Sequence, residues 1–103
     1  MDKNYVSSTI VTFLSEGDFK SCSKKFALFN TDKAKTFLKQ AGQIDVSCVR
    51  ITDENLVKVM IIWEYEGEKA FARCQKLWSK WEDIAQDFVS KIVFNRGLKF
   101  YSW

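Results

Sequence analysis

Hydrophobic and polar positions along the chain repeat with two different periods. Residues Tyr5–Leu14 alternate loosely and are rich in β-branched side chains, which predicts a first strand. The cluster Ser15–Asp18 predicts a turn, and beyond it the apolar positions recur every three or four residues, as in an amphipathic helix. Asp18 is the expected N-cap of this helix, which should end near Asn30.

A second helix and a hairpin follow. Thr31 can cap a short helix, and Gly42 is the expected left-handed stop at its end. The period then changes to two, and residues 45–52 and 56–65 predict two strands. The turn-forming residues 53–55 lie between them, so this segment is the clearest hairpin in the chain.

The last third of the chain predicts a helix and a closing strand. Gly67 opens a stretch with apolar residues at helical spacing, and a further helical segment is expected from Asp83 to about Asn95–Gly97. Leu98–Trp103 alternates and should form the last strand, with a start near Ser90 as the alternative. The resulting order βαββαβ is the ferredoxin-like one, an α+β fold in which a four-stranded antiparallel sheet carries helices on one face, within one domain over residues 1–103.

The hairpin should place apolar side chains on both faces of this sheet. A loop of residues 53–55 would pair Ile51 with Val57, so that one nearly continuous apolar face packs on the helices. The opposite face would then expose an apolar patch made of Val46, Cys48, Met60 and Ile62. Such a patch predicts a sheet-to-sheet homodimer with these residues in the interface. A monomer that tolerates the patch is the alternative, and a two-residue loop would mix the faces.

With these elements the chain resembles the dimeric α+β barrel superfamily, which includes the antibiotic biosynthesis monooxygenases. The features that carry the resemblance are the first strand, the aromatic helix Phe19–Phe29, the hairpin 45–65 and the helix from Gly67. The resemblance implies a ferredoxin-like fold, dimerisation and a pocket between sheet and helices for a flat organic molecule. Since no short catalytic signature is present, it implies no particular activity.

Composition adds a surplus of aromatic side chains. The 103 residues include nine Phe, four Trp and three Tyr, which is much apolar area for so small a core. The net charge of +3 is mild, so nucleic-acid binding is not expected, and no apolar run is long enough to span a membrane. Met1–Val6 lacks the features of a secretory signal, and three Cys without a C-x-x-C pair fit a reducing cytoplasm.

The residue types present exclude much catalytic chemistry. The chain has no His, so catalytic triads, His metal sites and His-bound haem are excluded, and no metal or other cofactor is expected. Cys22, Cys48 and Cys74 are interpreted as structural thiols.

One group of mostly aromatic residues could line a ligand pocket between sheet and helices. Its members are Phe26, Arg50, Trp63, Tyr65, Trp78 and Trp81. The leading hypothesis is a homodimer that binds a small apolar or aromatic molecule there. The alternatives are a cofactor-independent monooxygenase or isomerase, and a structural or regulatory module whose aromatic rings only fill the core.

Overall fold

The computed structural model describes residues 4–52 and 55–102. Its strands and helices, in chain order, are β1 (Tyr5–Phe13), α1 (Glu16–Phe26), α2 (Asp32–Ala41), β2 (Gln43–Ile51), β3 (Lys58–Tyr65), α3 (Glu68–Ala85) and β4 (Val89–Leu98). A short 3₁₀ helix, Ala27–Phe29, joins α1 to α2. Residues 53 and 54 of the predicted loop and Trp103 of the predicted last strand lie outside the described residues.

The four described strands form one antiparallel sheet in the order β2-β3-β1-β4. The two central strands bury alternate residues, among them Val11 on β1 and Ile61 and Trp63 on β3, against the helices. This arrangement confirms the predicted ferredoxin-like fold. The sheet surface opposite the helices is called the open face below. Within the described ranges no helix is long and apolar enough to cross a membrane.

Helix α3 supplies the main layer over the sheet. Its buried residues recur every three or four positions, so they form one stripe along the helix. These residues are Ala70, Cys74, Trp78, Trp81 and Ala85. The small members let the helix approach the sheet, and the two indoles fill the wider space toward α1.

The helix ends confirm two predicted caps and correct a third. Thr31 Oγ1 accepts a hydrogen bond from the backbone N–H of Ala34, and Gly42 ends α2 with a φ of 104°. Helix α1, however, begins earlier than predicted, because Ser15 is its N-cap and accepts from the backbone N–H of Asp18. Asp18 therefore lies in the first turn, where its charge suits the positive end of the helix dipole.

The predicted helical segment from Asp83 onward is wrong beyond Ala85. The chain turns at residues 86–88 and then forms β4, in agreement with the alternative start near Ser90. The segment forms a strand because its side chains alternate between the two faces of the sheet. Ile92 and Phe94 lie opposite Val11 and Thr9, on the side of β1 that faces the helices. Pairing with a central strand gives these residues backbone hydrogen bonds along the whole element.

The predicted hairpin register is wrong by one residue. Ile51 lies opposite Lys58 and not opposite Val57. Strand β3 begins at Lys58, and just before it the backbone N–H of Phe13 donates to the carbonyl of Val57 at 2.8 Å. Val57 is thus held at the end of β1, and the pairing of β2 with β3 starts one residue later.

This shift turns β2 over, because neighbouring residues of a strand point to opposite faces. Val46 and Cys48, predicted for the exposed patch, face the helices, whereas Val49 lies on the open face. Met60 and Ile62 lie on the open face as predicted. The open face therefore remains apolar at its centre, but β2 contributes Val49 to it in place of Val46 and Cys48.

Replacing Gly42 by Ala should destabilise the protein. Gly42 has a positive φ of 104°, and a Cβ there would lie 2.5 Å from the Cβ of Ala70 on α3. We expect a loss of about 2–3 kcal/mol in the free energy of unfolding, measured by urea titration. Gly17→Ala is the matched control, because its Cβ would meet only Ser15 Oγ at 3.7 Å. Equal effects of the two substitutions would show that neither the positive φ nor the approach to α3 requires a glycine.

Candidate functional site

An apolar cavity of about 290 Å³ lies between α1 and the helix-facing side of the sheet. It is called the α1 cavity below. Its lining residues come from helices α1 and α3 and from strands β1, β2 and β3. They are Val11, Phe13, Phe19, Cys22, Ser23, Phe26, Cys48, Arg50, Val59, Ile61 and Trp81. Most of them offer only carbon atoms, so the space suits an apolar occupant.

A charged pair between α1 and β2 lies beside the α1 cavity, and its Arg50 belongs to the lining. The Arg50 guanidinium donates two hydrogen bonds to the Glu16 carboxylate, at 3.0 and 2.7 Å. The same guanidinium lies 4.7 Å from the centre of the Phe19 ring. The hydrogen bonds from Arg50 lower the pKa of Glu16, so the pair stays ionised at neutral pH. The pair links the first turn of α1 to the edge strand β2, and its side chains are exposed.

Phe26 also lines the α1 cavity and makes aromatic contacts with α3. The Phe26 ring stacks on Trp78 at a centroid distance of 6.0 Å and meets Trp81 edge-on at 5.6 Å. Phe26 therefore joins the end of α1 to α3, where each ring pair adds about 0.5–1.5 kcal/mol. Helix α1 is held at both ends, and the space beneath its middle stays open.

A second depression of about 470 Å³ lies on the far side of Phe26. It is bounded by the 3₁₀ helix, α2 and β2, and both Phe26 and Cys48 line it as well as the α1 cavity. Its walls carry more polar groups, including Lys35, Asn30 and Asp45. The two spaces thus share a wall but differ in polarity.

The structure divides the predicted ligand-binding residues into two groups. Phe26, Arg50 and Trp81 come together around the α1 cavity, and Trp78 borders the second depression. Trp63 and Tyr65, by contrast, line a space of only about 10 Å³ and border neither of the two larger ones, so their part in ligand binding stays a prediction. Their side chains belong to the packed hydrophobic core on β3, where α3 lies directly against the sheet.

Hydrogen bonds explain why this part of the core is closed. Trp63 Nε1 donates to Thr9 Oγ1 at 2.9 Å, and Trp78 Nε1 donates to Gln43 Oε1 at 2.8 Å. Burial raises the pKa of the Tyr65 phenol, which stays protonated at neutral pH. These polar groups are occupied within the core and do not point to a ligand site.

Sequence reasoning misses several lining residues of the α1 cavity. Phe19 and Cys22 belong to the apolar stripe of α1, but helical spacing alone does not show that the helix stands away from the sheet. The wrong hairpin register places Cys48 on the wrong face. The alternation of β3, which brings Val59 and Ile61 beneath α1, is the signal in the sequence that points to those two residues.

The thiols that line the cavity are poor nucleophiles. Burial raises the pKa of Cys22, and desolvation raises that of Cys48, so both are protonated at neutral pH. Across residues 4–52 and 55–102, no three side chains of metal-binding type lie close enough to hold an ion. The site therefore offers a shaped apolar space with few reactive groups.

Solved structures of low sequence identity share this fold. A dimeric ferredoxin-like protein from an uncultured marine organism is 20% identical and has a TM-score of 0.87, with 99% of this chain and 92% of that chain covered. A second dimeric ferredoxin-like protein from an uncultured marine organism is 16% identical, with a TM-score of 0.81 over 99% of this chain and 100% of that chain. A candidate antibiotic biosynthesis monooxygenase from Nitrosomonas europaea is 10% identical, with a TM-score of 0.77 over 98% and 94%. The class of the protein is thus ferredoxin-like, as the resemblance predicted.

The family follows from the sequence itself. The model of a domain of unknown function, DUF6974, matches residues 3–98, and the chain belongs to this family. No curated protein matches the sequence. Since the family description assigns no reaction, the function has to be argued from the α1 cavity and the open face.

Proposed function

We propose that this protein binds a small, largely apolar organic molecule in the α1 cavity. The observation that carries this proposal is the mainly apolar lining of the concave space beneath α1. Sites for small organic molecules are typically concave and lined by apolar and aromatic side chains with few polar groups. An apolar occupant would bury its surface there and gain dispersion contacts with the lining.

The volume of the cavity suggests the size of the ligand. An engineered apolar cavity of roughly 150 Å³ is large enough to bind benzene. The α1 cavity has about 290 Å³, so it suits a molecule with the bulk of two fused rings. Naphthalene is therefore a suitable first probe.

The lining favours binding over catalysis. Its thiols are protonated at neutral pH, and its single guanidinium, that of Arg50, is already paired with Glu16. The described lining contains no carboxylate, and the hydrogen bond to Glu16 raises the pKa of Arg50, so the lining supplies no general base. We therefore place the protein among binding proteins and not among monooxygenases.

We assign this function to the cytoplasm. Cys22, Cys48 and Cys74 are all free thiols. Two of them are buried within the apolar core, where they behave as small hydrophobic residues. Free thiols in this number fit a reducing compartment.

Filling the cavity from α1 should weaken probe binding with little loss of stability. Cys22 lines the α1 cavity, so the ring of Cys22→Phe would extend toward it. We expect naphthalene binding, measured by isothermal titration calorimetry, to weaken at least tenfold. The free energy of unfolding should change by no more than about 1 kcal/mol, because the new ring replaces empty volume.

Cys74→Phe is the matched control for this experiment. Cys74 is also a buried helical thiol, with 0% exposure, but it borders none of the described cavities. Overpacking there should cost about 3 kcal/mol. A Cys22→Phe variant that is destabilised as much as Cys74→Phe, or a wild-type protein that does not bind naphthalene, would contradict the proposal.

We further propose that the functional unit is a homodimer joined through the open face. One row of apolar side chains crosses all four strands on this face: Val49, Met60, Ile10 and Val93 are consecutive partners. Val49 and Val93 are 43% and 37% exposed. A row of this kind on a half-solvated sheet would normally contain more polar residues.

The segment after β4 enlarges this apolar surface. The backbone N–H of Lys99 donates to the carbonyl of Asn4, which extends β4 past its last ladder pair. Beyond it, Phe100 and Tyr101 are 88% and 71% exposed and border a depression next to Val6 on the open face. Two structurally similar proteins from uncultured marine organisms are described as dimeric, which supports a second copy as the partner.

A charge at the centre of the open face should prevent dimerisation. Met60→Lys would place an ammonium group within the proposed interface, where burial costs several kcal/mol. In multi-angle light scattering we expect a dimer for the wild type and a monomer for the variant. Leu28→Lys, at a position 69% exposed on the 3₁₀ helix, is the control and should remain dimeric. A dimeric Met60→Lys variant would show that another surface forms the interface.

A further inference from the structure

The second depression has an aromatic wall. Phe26, Phe29 and Trp78 line it, and each ring contacts the other two, with centroid distances of 6.3, 6.0 and 6.1 Å. Leu38 and Val46 extend this wall from α2 and β2. A flat apolar molecule placed here would bury its surface against the rings.

The polar side chains buried in this wall are already hydrogen-bonded within the protein. Trp78 Nε1 donates to Gln43 Oε1 at 2.8 Å. Gln43 Nε2 donates in turn to the backbone carbonyls of Asp45 and Glu64, at 3.1 and 3.0 Å. Because these groups are satisfied, a polar group on an occupant belongs near solvent, at the rim of the depression.

Two lysines of α2 bring positive charge to this rim. Lys35 and Lys39 line the depression, and both are exposed. They are four residues apart, so they lie on the same face of the helix. Within residues 4–52 and 55–102, neither ammonium group forms an ion pair. Their flexible side chains allow both ammonium groups to reach one anion at the rim.

Asp45, the acidic residue of the described lining, does not offset this charge. Its Oδ2 accepts a hydrogen bond from Ser47 Oγ at 3.0 Å. Ser47 lies opposite Ile62, whose side chain is on the open face. The Asp45 carboxylate is thus drawn toward the open face, and the charge beside the depression is positive.

Charge separates the second depression from the α1 cavity, although Phe26 and Cys48 belong to both walls. The Arg50 guanidinium beside the α1 cavity is paired with Glu16 through two hydrogen bonds. An anion entering that cavity would lose its hydration without gaining a free countercharge. Of the two spaces, the second depression is the one that favours an anion.

We infer that the second depression binds an organic carboxylate with a flat apolar body. The body would lie against the rings of Phe26, Phe29 and Trp78. The carboxylate would accept hydrogen bonds from the ammonium groups of Lys35 and Lys39 at the rim. This site is separate from the one proposed beneath α1 and does not depend on it.

Two probes of nearly equal shape test the inference. 2-Naphthoate carries the carboxylate, and 2-naphthamide carries a neutral amide in its place. Their dissociation constants are measured by isothermal titration calorimetry at low ionic strength, for the wild type and for the double variant Lys35→Gln/Lys39→Gln. We expect the wild type to prefer 2-naphthoate by about fivefold and the variant to bind both probes about equally, since two ion pairs at an exposed rim strengthen binding only moderately. A double variant that keeps the full preference would overturn the inference.

Lys76→Gln/Lys80→Gln is the matched control. These lysines are also exposed and four residues apart on a helix, but they border a different depression, between α2 and α3. Both double variants remove two positive charges, so a long-range effect of net charge would appear equally in both. The control should keep the preference for 2-naphthoate. An equal loss of preference in the two double variants would contradict a site at Lys35 and Lys39.

Ionic strength gives a second readout. Raising it from about 0.02 M to about 0.5 M screens exposed charges, so 2-naphthoate should bind the wild type no better than 2-naphthamide at high salt. The affinity for 2-naphthamide itself should change little. A preference that salt does not reduce would show that neutral groups, and not the lysines, hold the carboxylate.

Cys22→Phe shows which of the two spaces the carboxylate occupies. Cys22 lines the α1 cavity and not the second depression. The variant should therefore bind 2-naphthoate as the wild type does while binding naphthalene more weakly. Loss of 2-naphthoate binding in Cys22→Phe would place the carboxylate beneath α1 and overturn the inference.

The outcomes also separate this inference from the proposed function. If the wild type binds 2-naphthoate with the expected preference but does not bind naphthalene, the proposed function fails and the carboxylate site stands. If it binds naphthalene but not 2-naphthoate, the proposed function stands and the inference about the second depression is wrong.

Discussion

The contact of Phe26 with the two indoles of α3 determines how the helical layer sits on the sheet. Phe26 stacks on Trp78 and meets Trp81 edge-on, so the end of α1 is fixed to α3. The first turn of α1 also carries Glu16, which forms an exposed ion pair with Arg50 of β2. Between these two contacts, the Phe19 ring meets Phe13 of β1 edge-on at 5.4 Å. The α1 cavity is the space that remains between the helix and the sheet.

The packing between the helices and the sheet differs from one part of the core to another. Where α3 lies directly on the sheet, Thr9 and Gln43 accept the hydrogen bonds of buried indoles, and almost no space remains. Beneath α1, by contrast, Trp81 borders an open space lined mainly by apolar side chains. Concave spaces with such a lining are typical of sites for small organic molecules. The same layer of aromatic residues therefore serves both packing and a candidate site.

Most of the fold can be predicted from the sequence because its signals are local. The caps Thr31 and Gly42, and the alternation of β3, each depend on a few neighbouring residues. The hairpin register depends instead on Val57, which the end of β1 holds in place through a backbone hydrogen bond. Likewise, the strand character of β4 depends on pairing with β1, which overrides the helical spacing that continues beyond Ala85. Long-range contacts of this kind leave no mark in a local pattern.

The candidate site is predictable only in part, for the same reason. Phe26, Arg50 and Trp81 are conspicuous by residue type, but nothing in the spacing separates them from Trp63 and Tyr65. The distinction depends on where a helix approaches the sheet and where it does not. Cys48 illustrates the point, since a shift of one residue in β2 moves it from the supposed interface to the wall of the cavity.

The proposed function depends above all on the apolar space beneath α1 being able to take an occupant. Xenon binds in apolar cavities without specific contacts, so a crystal pressurised with xenon tests this property most directly. We predict a xenon peak in the anomalous difference map between α1 and β3, bordered by Phe19, Ile61 and Trp81. A map without xenon there, with α1 packed down on the sheet, would contradict it.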